Sequence, residues 1–171
     1  MSLSEGERFR ATSQQAKITN PFPPRKVLVV DDSSDARAIL QLLLTKLGHQ
    51  AQTASDAQSG LDVSKSFQPE IVLCDLMMAG GMSGYGFARA ARAEEKLAGV
   101  CIVAVSGWDG PDYEREAYAA GFDRLLKKPV GLSELQEILQ SPPRRYPDTS
   151  QSRDEGSADE GGRENSGSSS P

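Results

Sequence analysis

Between residues 26 and 140 the chain alternates between two patterns of apolar and polar positions. Short apolar runs occur at Lys26–Val30, Ile71–Cys74, Val100–Val105 and Phe122–Leu126, with a weaker one at Gln50–Ala54. Near-continuous apolar runs of this length predict strands buried on both faces. The stretches between them carry helical spacing. Ala36, Ile39, Leu40, Leu43 and Leu47 recur on one helical face, with Ser33 or Ser34 as N-cap and Gly48 as stop. Pro111 suits the first turn of a further helix, capped by Asp109 or Gly110 and stopped by Gly121. Leu132, Leu135, Ile138 and Leu139 mark a last helix, ended before Pro142-Pro143. Five strand–helix alternations predict right-handed crossovers and an α/β fold: a doubly wound, five-stranded parallel sheet with helices on both faces.

The flanks read differently. Residues 141–171 hold almost no apolar side chain beyond Tyr146 and Ala158; they are Ser, Gly, Pro and mixed charge, and the expectation is a disordered polar tail. Residues 1–25 are polar and end in "NPFPPR", an extended connector after a flexible arm. Residues 26–140 are therefore expected to form one domain.

Charge sharpens the picture. The net charge is -5; the arm holds four basic residues against two acidic, the tail six acidic against four basic, so the acidity belongs to the domain. An acidic domain without a basic cluster argues against nucleic-acid binding. No apolar run approaches membrane-spanning length and the N-terminus lacks a signal-peptide layout, so no membrane insertion and a cytoplasmic location are expected. Cys74 and Cys101 lie inside strand-like runs and are expected to be buried and reduced, without zinc spacing.

In such a sheet, chemistry collects at the carboxyl ends of the strands. The first strand ends in Asp31 and Asp32, the third in Asp75, the fourth in Ser106 followed by Gly107 and Trp108, and the fifth in Lys127, Lys128 and Pro129. If strands one and three are neighbours, three carboxylates crowd one pocket, which raises pKa values and costs stability unless a cation or a lysine intervenes. Oxygen ligands without imidazole or thiolate suit a hard ion, Mg²⁺ better than Ca²⁺ at an open site. Lys128 supplies a second positive charge. Singly, each of these residues reads as a helix cap, a turn hydroxyl or a solvated lysine. Together, on four strand ends, they read as one site.

"VLVVDD", "IVLCDLMM", "AVSG" and "KKP", in this order and at these separations, resemble the receiver domain of bacterial response regulators in two-component signalling; "LGHQ" and "AGFD" fit as well. The resemblance covers residues 26–140. It implies a flavodoxin-like sheet of order 2-1-3-4-5, and Asp75 as acceptor of a phosphoryl group from the phosphohistidine of a sensor histidine kinase or a histidine phosphotransfer protein. It further implies that Asp32 binds Mg²⁺ directly and Asp31 largely through water, and that Asp75 and the backbone carbonyl of Met77 complete the protein ligands. Ser106 and Lys128 would contact the phosphoryl oxygens. The expected role is a phosphoacceptor regulator that switches a protein-binding surface, with no enzymatic activity beyond its own phosphorylation and slow autodephosphorylation.

Three features depart from the family. Leu125 stands where an aromatic is usual, which weakens the usual switching linkage. The loop "LMMAGGMSGYG" has Ala79 in place of proline and is one residue longer. No helix-turn-helix or catalytic module follows, so a stand-alone regulator is expected. Met77 and Trp108, two residues past the phosphoacceptor and past the strand-four hydroxyl, would flank the path of water to a phosphoryl group. The alternatives are a receiver-fold docking module that is never phosphorylated, a flavin- or nucleotide-binding protein using "GMSGYG", and an aspartyl-nucleophile phosphatase. The last wants Asp-x-Asp where this chain has adjacent acids. His49, the sole histidine, is expected at the surface in the turn after Gly48.

Overall fold

The structure, a computed structural model, describes residues 22–108 and 110–142. The arm to residue 21, Asp109 and the tail from residue 143 lie outside the described residues, and with them the readings made of those segments. Five strands alternate with five helices: β1 (Lys26–Val30), α1 (Ser34–Lys46), β2 (Gln50–Ala54), α2 (Ala57–Phe67), β3 (Ile71–Asp75), α3 (Gly84–Ala93), β4 (Cys101–Ser106), α4 (Pro111–Ala120), β5 (Arg124–Lys127) and α5 (Leu132–Gln140). The sheet is wholly parallel, in the order β2-β1-β3-β4-β5. The flavodoxin-like expectation holds. β1 and β3 are neighbours, with Val30 opposite Cys74, so their carboxyl ends lie side by side.

Strand alternation divides the core in two. Leu28, Val30, Val72, Cys74, Ile102 and Ala104 face Leu61 of α2, Phe87 and Ala88 of α3 and Ala117 of α4. Val27, Val29, Ile71, Leu73, Val103 and Val105 face Leu40, Leu44 and Leu47 in and just after α1, and Leu135, Ile138 and Leu139 of α5. Both faces are covered by helices, which is why β1 from Val27, β3 up to Cys74 and β4 up to Val105 are apolar without a break.

Local signals set the helix ends. Ser33, Asp56 and Ser83 cap α1, α2 and α3, each side chain accepting a backbone N–H three residues on. α4 starts at Pro111 behind Gly110 with no side-chain cap and stops at Gly121, whose φ of 109° only glycine adopts readily.

Three expectations need correction. The buried face of α1 is Leu40 and Leu44, with Leu43 partly covered; Ile39 is 59% exposed. The helix is turned about its axis relative to the expected stripe because Leu44, one position beyond Leu43, meets the sheet. Leu132, at the first turn of α5, is also exposed. His49 is buried, not on the surface. Its Nδ1 accepts the Arg25 N–H at 3.1 Å where the chain leads into β1. Burial first, then the Arg25 charge, hold its pKa below the ordinary value against the pull of Glu70.

One polar staple crosses the lower edge of the sheet. Arg92 of α3 donates to the carbonyls of Ala98, Val100 and Gly121 and pairs with Asp123 at 2.6 Å, with both side chains nearly buried. The same Asp123 oxygen accepts the Ile102 N–H of β4 at 2.7 Å.

Candidate functional site

The adjacent carboxyl ends of β1 and β3 bring Asp31, Asp32 and Asp75 together: one carboxylate oxygen from each lies within 4.8 Å of the other two. Asp31 and Asp75 are buried; Asp32 is exposed. Lys128, reaching over from the end of β5, places Nζ 2.9 Å from Asp31 Oδ2 and 3.3 Å from Asp75 Oδ1. The Lys128 N–H donates to the Ser106 carbonyl at 2.7 Å, which ties the lysine to the end of β4.

Backbone donors orient the acids. Asp31 Oδ1 accepts the Ser33 N–H at 2.8 Å, and the Asp31 carbonyl accepts Nη1 of Arg37 at 2.6 Å. Asp32 Oδ2 accepts the Ala79 N–H at 2.8 Å, which ties β1's end to the loop after β3. Asp75 Oδ1 accepts the Met77 N–H at 3.3 Å. Burial foremost, with the charge of Asp31 adding to it, lifts the Asp75 pKa above the usual carboxylate value, against the Lys128 ammonium and the Met77 N–H. Burial opposes the charge on Lys128, but its hydrogen bond to Asp31 and the charges of both acids outweigh that and hold its pKa above the ordinary value. An Asp75 carboxylate at neutral pH is therefore a poorly compensated anion.

Three carboxylates facing one ammonium leave a double negative charge, the charge a divalent cation offsets. The donor set is oxygen alone, since Cys74 is buried behind it with its thiol pKa pushed up by burial and by Asp75. These residues fit a hard divalent ion.

The remaining candidates lie around this centre. Ser106 is buried, and its Oγ accepts the Trp108 N–H at 3.0 Å. Met77 and Trp108 are each 59% exposed, and the Trp108 ring leans on Tyr113 with centroids 5.9 Å apart. Leu125 pairs with Ala104 in the sheet and packs, partly buried, on the face covered by α2, α3 and α4. Sequence reasoning passed over Gly84. A Cβ there would strike the backbone of Asp75 and Leu76, so only glycine lets α3 begin against the end of β3. "GMSGYG" carries that signal: its Gly84 serves the packing of α3 against the end of β3, not a phosphate loop.

Cys74 and Cys101 are free and buried as expected; burial pushes the Cys101 thiol up to about 12. A cavity of about 490 Å³ opens elsewhere, among Arg25, Glu70, Arg92, Cys101 and Asp123, and shares no residue with the acid cluster. Its acids are already held by Arg25 and Arg92. Among the described residues, no helix is long and apolar enough to cross a membrane.

Comparison with known proteins agrees with this fold. A family model described as the response regulator receiver domain matches residues 27–140. Among curated relatives, the probable transcriptional regulator ycf27 of Porphyridium aerugineum is 32% identical over 120 residues, covering 70% of this chain and 48% of that protein. The autoinducer 1 sensor kinase/phosphatase LuxN of Vibrio campbellii is 31% identical over 123 residues, 72% of this chain and 14% of that protein. The chain thus spans about half the length of the transcriptional regulators it matches. Among solved structures, the chemotaxis response regulator CheY4 of Vibrio cholerae superposes with a TM-score of 0.65 at 27% identity, covering 69% of this chain and 98% of that one. The receiver domain of sensor histidine kinase PA1611 from Pseudomonas aeruginosa, solved with magnesium in its active site cleft, shares the fold at TM-score 0.63 and 24% identity, covering 69% and 96%.

Proposed function

The chain belongs to the response regulator receiver domain family of two-component signalling, and from that premise we propose that Asp75 is its phosphoacceptor. The observation that carries the reading is the convergence of Asp31, Asp32 and Asp75 within 4.8 Å under the Lys128 ammonium. An Asp75 oxygen attacks the phosphorus of a partner's phosphohistidine. The new O–P bond forms as the P–N bond breaks, and the imidazole leaves with the electron pair and takes up a proton. Asp75 becomes an acyl phosphate. Lys128 moves its weight from Asp31 toward the incoming oxygens, and the Ser106 hydroxyl turns from the Trp108 N–H toward the same group. Asp31, Asp32 and Asp75, with the Met77 carbonyl, would hold Mg²⁺, which when bound neutralises charge on the transferring group. Ser106 ends β4 and Lys128 directly follows the neighbouring β5, so their movement changes the surface formed by β4, α4 and β5.

We read residues 26–140 as the receiver unit, between an arm at 1–25 and a tail at 141–171, acting in the cytoplasm as a regulator on a histidine kinase or phosphotransfer protein. The reading is tested by incubation with acetyl phosphate and Mg²⁺, followed by intact mass. One labile phosphoryl adduct is expected in the wild type and none in Asp75→Asn. Undiminished labelling of Asp75→Asn, or none in the wild type, overturns it.

A further inference from the structure

Arg37 is the first basic residue after the acid pair. It lies in the first turn of α1 and folds back, donating from Nη1 to the Asp31 carbonyl at 2.6 Å. We infer that Arg37 is a positioning residue for the acid pair, and that it acts by holding the peptide plane that joins Asp31 to Asp32. The inference rests on the reading of Asp31 and Asp32 as Mg²⁺ ligands.

The backbone explains why this peptide needs holding. β1 ends at Val30, and the Asp31 N–H still reaches the Ala54 carbonyl at 3.2 Å. The Asp31 carbonyl is past the last rung of the ladder. That carbonyl belongs to the planar Asp31–Asp32 peptide, so its direction sets the direction in which Asp32 leaves the strand. The Asp31 carboxylate is fixed by other partners, Ser33 N–H on one oxygen and Lys128 on the other. Asp32 is exposed, and its carboxylate is held by the Ala79 N–H of a separate loop. Rotation of the 31–32 plane would leave Asp31 in place and swing Asp32 away from the other two acids. Arg37 opposes that rotation from the helix side while Ala79 holds the side-chain end.

A rival account makes Arg37 a charge that merely offsets the acids. The two accounts differ in sign. A bare positive charge repels Mg²⁺, so its removal tightens binding; loss of a positioning contact loosens it. The guanidinium bonds a carbonyl and not a carboxylate, which favours positioning.

Calorimetric titration of the full chain with Mg²⁺ decides between them, in wild type, Arg37→Met and Arg37→Gln, with urea unfolding of each as the control for folding. Arg37→Met is expected to bind Mg²⁺ about tenfold more weakly, the scale of losing a group that orients a metal ligand. Arg37→Gln, equally uncharged but still a donor, should recover part of that loss. Arg37→Met binding as tightly as the wild type, or more tightly, overturns the inference. If Arg37→Met does not fold, Arg37→Gln decides alone: weaker binding than wild type supports positioning, equal or tighter binding overturns it. A wild type that takes up no Mg²⁺ removes the metal reading and this inference with it. A wild type that binds while the variants match it removes this inference only.

Discussion

Lys128 stands closer to Asp31 than to the proposed phosphoacceptor: its Nζ is 2.9 Å from Asp31 Oδ2, against 3.3 Å from Asp75 Oδ1. Asp31 is almost wholly buried, so the lysine is its main source of opposite charge. Removing one member of a buried ion pair costs about 3–5 kcal/mol, and Lys128, one-third exposed, should cost a screened fraction of that, about 1–2 kcal/mol. Lys128→Met is therefore expected to lower stability in chelator and to gain more from added Mg²⁺ than the wild type does. Thermal unfolding with and without Mg²⁺ measures both. Equal Mg²⁺-dependent shifts in the two proteins would refute the shared pocket.

The Arg92–Asp123 pair predicts a larger loss far from the chemistry. Arg92 satisfies three carbonyls as well as Asp123, and both side chains are nearly buried. Arg92→Met leaves a buried carboxylate without its cation, at a cost of about 3–5 kcal/mol. Urea unfolding should show that loss, and Mg²⁺ affinity should stay as in the wild type wherever the variant is folded. A loss under about 1 kcal/mol, the range of an exposed pair, would show that water reaches Asp123.

The apolar runs of β1, β3 and β4 made the fold legible, because a doubly covered parallel strand has no polar face to confuse the pattern. The site was legible for the same reason. Asp31, Asp32 and Asp75 stand where the runs of β1 and β3 stop and Lys128 where β5 stops, and the sheet order brings these ends to one edge. What escaped was set by tertiary contact. The rotation of α1 that buries Leu44 and exposes Ile39 depends on how the helix lies on the sheet. His49 sits against the chain leading into β1, where its Nδ1 accepts the Arg25 backbone N–H, a contact between residues 24 apart. Arg37's reach to the Asp31 carbonyl is a side chain's return across a helix N-terminus, which spacing does not encode.

Buried His49 makes stability pH-dependent. The unfolded chain takes up its proton near the ordinary value of 6.5, while the folded chain takes it up only at lower pH. Between those values the unfolded state binds more protons. Stability from this group is thus fully present above about pH 6.5 and falls as pH drops, by at most about 1.4 kcal/mol per pH unit. Asp75 runs the other way, its raised pKa relieving burial cost as pH falls. Comparison with His49→Gln, which can still accept from Arg25, cancels that contribution. Urea midpoints from pH 7.5 to 5.5 should fall more steeply in the wild type. Parallel curves would mean that His49 protonates equally in both states.

The lifetime of a phosphoryl group on Asp75 depends on water reaching phosphorus in line, opposite the Asp75 oxygen. Met77 follows Asp75 by two residues and Trp108 follows Ser106 by two, the positions that the family resemblance assigns to flanking the water's approach. Met77 has no strong donor or acceptor, and Trp108 offers only an indole N–H, so neither can take a proton from the attacking water. Trp108 also leans on Tyr113, which occupies one face of its ring; a purely packing role would leave hydrolysis untouched. Both side chains are 59% exposed. Missing water positioning of this kind corresponds to about 1–3 kcal/mol in barrier, roughly ten- to a hundredfold in rate. Autodephosphorylation should therefore be slow. Met77→Asn with Trp108→Glu supplies an amide and a carboxylate at the same two positions, and phosphate loss from the double variant should speed up by about tenfold or more. The decay of labelled protein after removal of acetyl phosphate measures it. An unchanged half-life would assign both side chains to packing alone, and a slower one would mean that they admit water where exclusion is expected.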